Sequence, residues 1–295
     1  MRRSRVALLG KNTAAVCALE ILLSKDVELV LVSPNNSDVG IDDWQRSLKK
    51  KASELRLNVK QFSKIKDYSS IEYLKKLDLD FIFSIQYDQI LNQSIIETPK
   101  FGAINLHFAP LPRYRGVSPI AFALINGEQE FGVTLHYMDQ GVDTGDIINR
   151  RIFSIREIES ARALYDLAVE NAVKLFEAEV DKILSLTNKR FPQDNSKALY
   201  YSRGSINFKE NKINFNKCTS SLYNWIRAFI FPPFQFPIFD YDGKTYEVIA
   251  VSPDYTKNKF EKPGTLIMRD DNFFKFSTHD SYINLIVKED SIIQR

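Results

Sequence analysis

The chain has 295 residues, with 40 Lys or Arg, 37 Asp or Glu and a formal net charge of +3. Its 44% apolar residues, including 21 Phe and 13 Tyr, can form a substantial core, which excludes a disordered chain. No apolar run approaches the roughly 18–20 residues of a membrane-spanning helix, and the interspersed charges argue against a nucleic-acid-binding protein.

The N-terminal sequence and the cysteines indicate the cellular compartment in which the protein resides. A basic start followed by the apolar residues 6–9 imitates a signal peptide, but Lys11 and Asn12 interrupt the apolar segment too early. Cys17 and Cys218 match neither a disulfide framework nor a metal-ligand spacing. We therefore expect a cytoplasmic protein without a metal site.

Over about the first 155 residues, strand-sized apolar runs alternate with helix-like segments, which predicts an α/β fold with a Rossmann-like, mainly parallel sheet. The predicted strands are residues 5–10, 27–33, 57–60, 81–85, 103–107, 132–138 and 147–153. The predicted helices are residues 13–23, 43–55, 70–77, 118–125 and 160–186. After residue 190 the segments become short, aromatic and punctuated by turns. We predict a catalytic domain over residues 1–190 and a smaller β-rich domain over residues 191–295.

The turn after the first strand, Gly10-Lys11-Asn12-Thr13, could cradle a phosphate. It completes neither the G-x-x-x-x-G-K-[ST] nor the G-x-G-x-x-G pattern, so a tight turn between strand and helix is the favoured interpretation.

The most informative segment is residues 101–148. Alternation places the side chains of Asn105 and His107 on one side of a strand that ends there, beside the crevice where open α/β sheets bind ligands. Residues 110–116 contain two prolines and a glycine and predict a loop over this crevice. The next strand leads into the acidic turn 139–146, so carboxylate, imidazole and carboxamide groups can converge.

These residues resemble the formyltransferase family that uses 10-formyltetrahydrofolate. The family pattern N-x-H-x-S-L-L-P-x-[YW]-R-G corresponds to residues 105–116, and D-x-G-x-D-T-G-D to residues 139–146. The departures are Ala109 for Ser and Pro110 for Leu. Further similarity, at residues 224–232 and 262–265, extends the resemblance to about residue 266.

The resemblance implies formyl transfer to an amine, with Asn105, His107 and Asp143 as catalytic residues. A base and an oxyanion donor are both needed. His107 is the candidate base, because imidazole titrates naturally near neutrality. Asp143 would orient its ring and Asn105 would donate to the oxyanion. The other two histidines, at positions 136 and 279, are expected to be structural.

The family binds the pterin of its folate through loop backbone. The resemblance assigns this role to two loops, whose residues are Gln86, Tyr87, Asp88, Asp139, Gly141 and Val142. Tyr87 could equally belong to the core.

Two branches of the family fit the length of the chain: methionyl-tRNA formyltransferase and the nucleotide-sugar N-formyltransferases. The first holds RNA with a basic loop after the second strand, but residues 33–43 contain three acids and no base. Aromatic residues that can stack on a nucleobase and polar residues that can pair with a diphosphate favour the nucleotide-sugar N-formyltransferases. The predicted substrate contacts are Arg115, Tyr201, Arg203, Asn207, Asn224, Trp225, Arg227 and Phe231. Phe234 and Phe236 could instead fill the core.

The resemblance thus implies formyl transfer to a dTDP-linked 3- or 4-amino-dideoxyhexose, with dTDP-4-amino-4,6-dideoxyglucose as the favoured acceptor and O-antigen or surface glycan synthesis as the role. Methionyl-tRNA formyltransferase is the alternative. A folate-deformylating hydrolase would share the triad, and a non-catalytic nucleotide-sugar sensor would have no need of it. The resemblance also implies a homodimer, with no nucleic-acid or membrane partner.

Overall fold

The computed structural model describes residues 2–156, 159–256 and 261–288. Two compact units are distinguished by their internal contacts. The first consists of the described parts of Met1–Gly116, Gly132–Phe153 and Ala168–Tyr200, and the second of those of Val117–Phe131, Ser154–Leu167 and Tyr201–Arg295. The boundary predicted between residues 190 and 191 stays a prediction.

Strands and helices alternate in the first part of the chain, and strands dominate the last part. The strands are β1 (Ser4–Gly10), β2 (Val27–Pro34), β3 (Phe81–Ile85), β4 (Gly102–His107), β5 (Arg115–Gly116), β6 (Glu130–Tyr137), β7 (Ile147–Ser154), β8 (Tyr200–Tyr201), β9 (Ile238–Tyr241), β10 (Lys244–Asp254), β11 (Leu266–Asp270), β12 (Phe273–Ser277) and β13 (Tyr282–Val287). The helices are α1 (Asn12–Leu23), α2 (Leu48–Glu54), α3 (Tyr68–Lys76), α4 (Gln93–Ile96), α5 (Pro119–Ile125), α6 (Ala161–Leu184) and α7 (Thr219–Phe229).

The larger sheet has the strand order β2-β1-β3-β4-β6-β7. Strands β2, β1, β3 and β4 pair in parallel, and β6 runs antiparallel to β4. All five residues of β3 are buried, as expected for a central strand covered on both faces. The predicted fold class is therefore confirmed, with the addition of one antiparallel strand beside β4.

Two predicted elements differ from the observed ones. Residues 57–60 form no regular strand, because Val59 makes only an isolated bridge to Val32 at the outer edge of β2. The helix predicted from residue 43 begins at Leu48, since Ser47 is its N-cap and accepts a hydrogen bond from the Lys50 N–H at 3.0 Å.

The second unit contains an antiparallel sheet in the order β11-β12-β13-β10-β9. The buried face of α7 packs on this sheet through Leu222 and Ile226, in a core that includes Phe239, Phe274 and Phe276. The aromatic residues that led us to predict a β-rich domain here include residues of these strands whose side chains face the core. Within the described ranges, no helix is long and apolar enough to cross a membrane.

Candidate active site

Pairing between β4 and β6 builds one wall of the site. β4 ends at His107, and its antiparallel register with β6 sets Asn105 opposite His136 and His107 opposite Thr134. The Asn105 side-chain Nδ2 lies 3.1 Å from His136 Nε2. Three side chains from two neighbouring strands therefore meet at the end of the sheet where β4 stops.

The acidic turn supplies the carboxylate. Asp143 has a left-handed backbone (φ 55°), and its Oδ2 accepts a hydrogen bond from the Gly116 N–H at 2.9 Å. Gly145 makes the turn possible, because a Cβ atom there would lie 2.0 Å from the Tyr137 carbonyl oxygen. The glycine thus lets the turn fold back close against the end of β6.

Asp143 is the common neighbour of the other polar side chains. Its Oδ1 lies 3.4 Å from Asn105 Nδ2, 3.6 Å from His107 Nδ1 and 3.6 Å from His136 Nε2. The side chains of His107 and Asp143 are 10% and 13% exposed. The structure therefore brings together the three residues predicted from sequence to be catalytic, and it adds His136.

The charge of Asp143 is stabilised by its neighbours. Burial alone would raise the pKa of this carboxyl group, but the imidazoles of His107 and His136, when they carry a positive charge, and the Gly116 N–H lower it more strongly. The resulting pKa lies well below the usual range for Asp. The group is a carboxylate at neutral pH.

Backbone contacts determine the tautomer of His107. Its Nε2 lies 2.9 Å from the carbonyl oxygen of Tyr114. A carbonyl oxygen only accepts, so Nε2 carries a hydrogen and Nδ1 is the unprotonated nitrogen of the neutral ring. The lone pair of Nδ1 therefore faces the cluster of Asp143 and Asn105.

The loop before β5 is supported from the sheet. The Thr134 hydroxyl donates to the Ala109 carbonyl at 2.7 Å and accepts from the Leu111 N–H at 3.2 Å. Tyr114 is 1% exposed and has φ 63°. These contacts hold the Tyr114 carbonyl in place against His107.

Arg115, predicted to contact substrate, makes side-chain hydrogen bonds within the first unit. Its guanidinium donates to Gln193 Oε1 at 2.7 and 3.1 Å and to Asn195 Oδ1 at 2.9 Å. The Gln193 side-chain N–H groups donate to the carbonyl oxygens of Asp143 and Gly145 at 2.9 and 2.7 Å. Sequence reasoning missed Gln193, which links Arg115 to the acidic turn.

The first predicted folate loop is attached to Asn35, another residue that sequence reasoning missed. Asn35 is fully buried, donates to the Gln86 carbonyl at 3.0 Å and accepts from the Asp88 N–H at 3.2 Å. Tyr87 packs against the hydrophobic cluster beneath the sheet, where burial raises its pKa to about 12. The Tyr87 side chain thus takes part in the core.

The second predicted folate segment lies in the acidic turn. Asp139 Oδ1 accepts hydrogen bonds from the Gly141 N–H at 3.0 Å and the Thr144 hydroxyl at 2.5 Å. Val142 is 43% exposed. Met138, immediately before the turn, packs on the same cluster as Tyr87, so both predicted folate segments adjoin one part of the core.

The predicted substrate residues of the second unit fall into separate groups. Tyr201 stacks on Phe122 with 3.7 Å between ring centroids, and its hydroxyl accepts from Asn126. Arg203 and Asn207 are exposed, and Asn207 donates to Glu210.

The remaining predicted contacts lie on α7 or just after it. Arg227 is buried, lies over the Tyr223 ring, and donates to Asn224 Oδ1 at 3.1 Å. Burial lowers the pKa of Arg227. Trp225 stacks on Phe229 and packs against the core of the unit, while Phe231 meets Tyr165 edge-on. No described cluster of three or more His, Cys, Asp or Glu residues could hold a metal ion.

Comparison with known proteins identifies the family. A profile described as Formyl transferase matches residues 4–211, and one described as Formyl transferase, C-terminal domain, matches residues 205–289. The chain belongs to the formyl transferase family, as the sequence resemblance predicted, and it is a formyltransferase enzyme.

Similar individual proteins cover nearly the whole chain. Methionyl-tRNA formyltransferase of Staphylococcus aureus (strain MW2) is 30% identical over 281 residues, 94% of this chain and 88% of the relative. A crystal structure of WlaRD, a sugar 3N-formyl transferase in the presence of dTDP and 5-N-formyl-THF, has 31% identity and a TM-score of 0.79, covering 98% of this chain and 99% of that chain. The N-formyltransferase from Helicobacter canadensis in complex with folinic acid and dTDP-3-aminofucose has 31% identity and a TM-score of 0.80, covering 97% and 100%.

Proposed function

We propose that the chain transfers a formyl group from 10-formyltetrahydrofolate to the amino group of a dTDP-linked amino-dideoxyhexose. The observation that carries the proposal is the convergence of Asn105 and His107 on Asp143 Oδ1 within 3.6 Å. The folate and the sugar nucleotide are supported by the two similar structures, whose descriptions name formyl-THF or folinic acid together with dTDP or dTDP-3-aminofucose.

The tautomer of His107 defines its part in the reaction. The neutral ring keeps its hydrogen on Nε2 against Tyr114, so Nδ1 accepts the proton that the acceptor amine loses when its nitrogen bonds to the formyl carbon. The imidazolium that forms faces the Asp143 carboxylate, 3.6 Å away. His107 then returns this proton to the folate nitrogen as the bond between that nitrogen and the formyl carbon breaks.

Asn105 stabilises the negative charge that develops on the formyl oxygen. One of its N–H groups is directed to His136, and the other points to Asp143 Oδ1 across a long 3.4 Å contact. A developing oxyanion at hydrogen-bond distance is a better acceptor for the second N–H than Asp143 Oδ1 at 3.4 Å. Asn105 can therefore exchange this contact for a hydrogen bond to the oxyanion.

The first predicted folate loop is suited to folate binding because a fully buried side chain fixes its course. Asn35 holds the Gln86 carbonyl and the Asp88 N–H on either side of Tyr87. When bound, 10-formyltetrahydrofolate supplies an activated formyl group. Residues 86–88 and 139–142 would hold its pterin through backbone groups.

The second candidate, transfer to methionyl-tRNA, is supported by the 30% identical S. aureus relative. Residues 33–43 argue against it, since they offer RNA phosphate no Lys or Arg. Two acids of this loop also have local structural roles. Asp38 accepts from the Ser47 hydroxyl and the Lys49 N–H, and Asp42 pairs with Lys50. The argument thus rests on missing cations more than on repulsion by these acids.

The position of the acceptor amine is the finer part of the proposal. The sequence favoured dTDP-4-amino-4,6-dideoxyglucose, whereas the similar WlaRD is described as a 3N-formyl transferase and the H. canadensis enzyme binds dTDP-3-aminofucose. We therefore offer both acceptors in the test. A homodimer and a role in surface glycan synthesis belong to the same proposal and rest on the family resemblance, while a cytoplasmic location rests on the N-terminal sequence and the two unpaired cysteines.

The test is a three-tube assay with 10-formyltetrahydrofolate and mass detection of the added formyl group. The tubes contain dTDP-3-aminofucose, dTDP-4-amino-4,6-dideoxyglucose or charged initiator tRNA. Formylation of a sugar nucleotide supports the proposal, and the preferred tube identifies the amine position. Formylation of the tRNA alone would overturn it.

A further inference from the structure

His136 is a buried imidazole whose two nitrogens face different partners. It is 1% exposed and lies in β6 opposite Asn105. Its Nδ1 is 2.8 Å from the Tyr137 carbonyl oxygen, and its Nε2 is 3.1 Å from Asn105 Nδ2. The ring therefore connects the backbone at the end of β6 to a proposed catalytic carboxamide.

The carbonyl partner determines which nitrogen carries the hydrogen. The Tyr137 oxygen can only accept, so Nδ1 is the donor and Nε2 of the neutral ring presents a lone pair. That lone pair needs a donor, and the Asn105 side-chain N–H is within hydrogen-bond distance. The tautomer of His136 thus constrains the orientation of the Asn105 amide.

We propose that His136 is a positioning residue, whose Nε2 lone pair holds the Asn105 carboxamide with its NH₂ group facing Asp143 and the reacting centre. The inference rests on the proposed role of Asn105 as oxyanion donor. It concerns the free enzyme, so it can be tested before any substrate is bound.

The reversed amide is disfavoured by two repulsive contacts. If the carboxamide rotated by 180°, its oxygen would face the lone pair of His136 Nε2 and the carboxylate oxygen of Asp143. Asp143 stays ionised because its pKa is low, so both neighbours require a donor at this position. His136 and Asp143 therefore select the same orientation, and Nε2 makes the shorter contact.

A purely structural role for His136 makes a different prediction. In that case its function is to satisfy the Tyr137 carbonyl through Nδ1, and Nε2 is incidental. Two substitutions separate these roles, because the Asn side chain can place its amide nitrogen near the Nδ1 position and the Gln side chain can place its oxygen near Nε2. His136→Asn keeps the donor to Tyr137, while His136→Gln keeps an acceptor for Asn105.

Turnover of the two variants gives the decisive comparison. Loss of one oxyanion donor costs on the order of 10²–10³ in kcat, so His136→Asn should lose about tenfold or more relative to His136→Gln. The KM for the sugar nucleotide should change little in either variant. The opposite order, with His136→Asn the more active, would overturn the proposal. In the Asn105→Ala background, the two variants should have equal activity.

Nitrogen NMR of the ¹⁵N-labelled wild-type protein tests the tautomer without turnover. We expect a protonated Nδ1 and an unprotonated Nε2 at His136. We also expect a scalar coupling across the hydrogen bond between His136 Nε2 and the side-chain nitrogen of Asn105. A hydrogen on Nε2 would contradict the inference. If the wild type formylated no acceptor, the proposed function would fail, but this spectrum would still test the role of His136. If both variants failed to fold, the spectrum alone would decide whether His136 positions Asn105.

Discussion

His107 and Asp143 face each other with 3.6 Å between Nδ1 and Oδ1, while the opposite edge of each group is held by backbone. His107 Nε2 donates to the Tyr114 carbonyl, and Asp143 Oδ2 accepts from the Gly116 N–H. Tyr114 lies in the loop that follows β4, and Gly116 lies in β5, which this loop enters directly. One short chain segment therefore orients both the imidazole and the carboxylate.

The first prediction concerns the charge of Asp143. Asp143→Asn removes the carboxylate that stabilises the imidazolium of His107, so kcat should fall by about 10²–10⁴-fold, the usual contribution of acid–base catalysis. Binding of the sugar nucleotide, measured by calorimetry, should remain. An Asp143→Asn enzyme with nearly normal kcat would contradict this role.

The low pKa of Asp143 also predicts how stability depends on pH. Because its folded pKa lies below the ordinary value of about 3.9, its stabilising contribution is present above that pH and lost as pH falls through the folded pKa. The difference in free energy of unfolding between wild type and Asp143→Asn should not decrease from pH 7 to about 4 and should shrink below it. Urea unfolding at several pH values measures it. A difference that shrinks above pH 5 would contradict the assignment.

Gln193 should support the acidic turn from a distance. Gln193→Leu removes an acceptor for Arg115 and both donors to the turn, and each lost part-buried hydrogen bond costs about 1 kcal/mol. We expect a lower Tm and reduced kcat. Asn195→Ala is the matched control, since it removes only one acceptor of Arg115 and leaves the turn bonded. Equal effects of the two changes would argue against a specific role for Gln193.

Asn35 should control folate binding through the loop at residues 86–88. Asn35→Asp replaces the donor to the Gln86 carbonyl with a carboxylate oxygen at a fully buried position. The KM for 10-formyltetrahydrofolate should rise by about tenfold or more, because the substitution removes one neutral hydrogen bond and with it the support of the loop conformation. The neighbouring Asn36→Asp, at an exposed residue bonded to the Ser63 carbonyl, is the control. An unchanged folate KM in Asn35→Asp would remove this role.

Arg203 offers the cleanest test of the predicted sugar-nucleotide contacts, because its side chain is exposed. If it pairs with the diphosphate, Arg203→Ala should raise the KM for the sugar nucleotide by about 10–100-fold without lowering the Tm. Lys209→Ala, another exposed cation of the same segment, should change neither value. Equal KM effects at both positions would indicate nonspecific electrostatic attraction.

Local sequence information was sufficient for part of the site. Alternation along one strand predicted that Asn105 and His107 share a side of the sheet, and the glycines around Asp143 predicted a tight turn. The resemblance then assigned roles to all three. These features depend on short-range geometry, which spacing in the sequence reports directly.

The remaining site residues depend on pairings that spacing does not report. The predicted sheet, which was mainly parallel, gave no reason to expect His136 opposite Asn105. The two residues face each other because β6 runs antiparallel to β4. Gln193 reaches the acidic turn from 50 residues further along the chain. The hydrogen bonds of Arg115 to Gln193 and Asn195 likewise join residues about 80 positions apart, and its role at the substrate stays a prediction.

The most direct test follows a labelled formyl group from 10-formyltetrahydrofolate to a dTDP-linked amino-dideoxyhexose, comparing wild type with His107→Asn. The account predicts rapid labelling of the sugar amine by the wild type, no labelling by His107→Asn, and nearly equal binding of the sugar nucleotide by both proteins. Labelling at the wild-type rate by His107→Asn, or loss of sugar-nucleotide binding together with turnover, would contradict the assignment of His107 as the group that carries the proton.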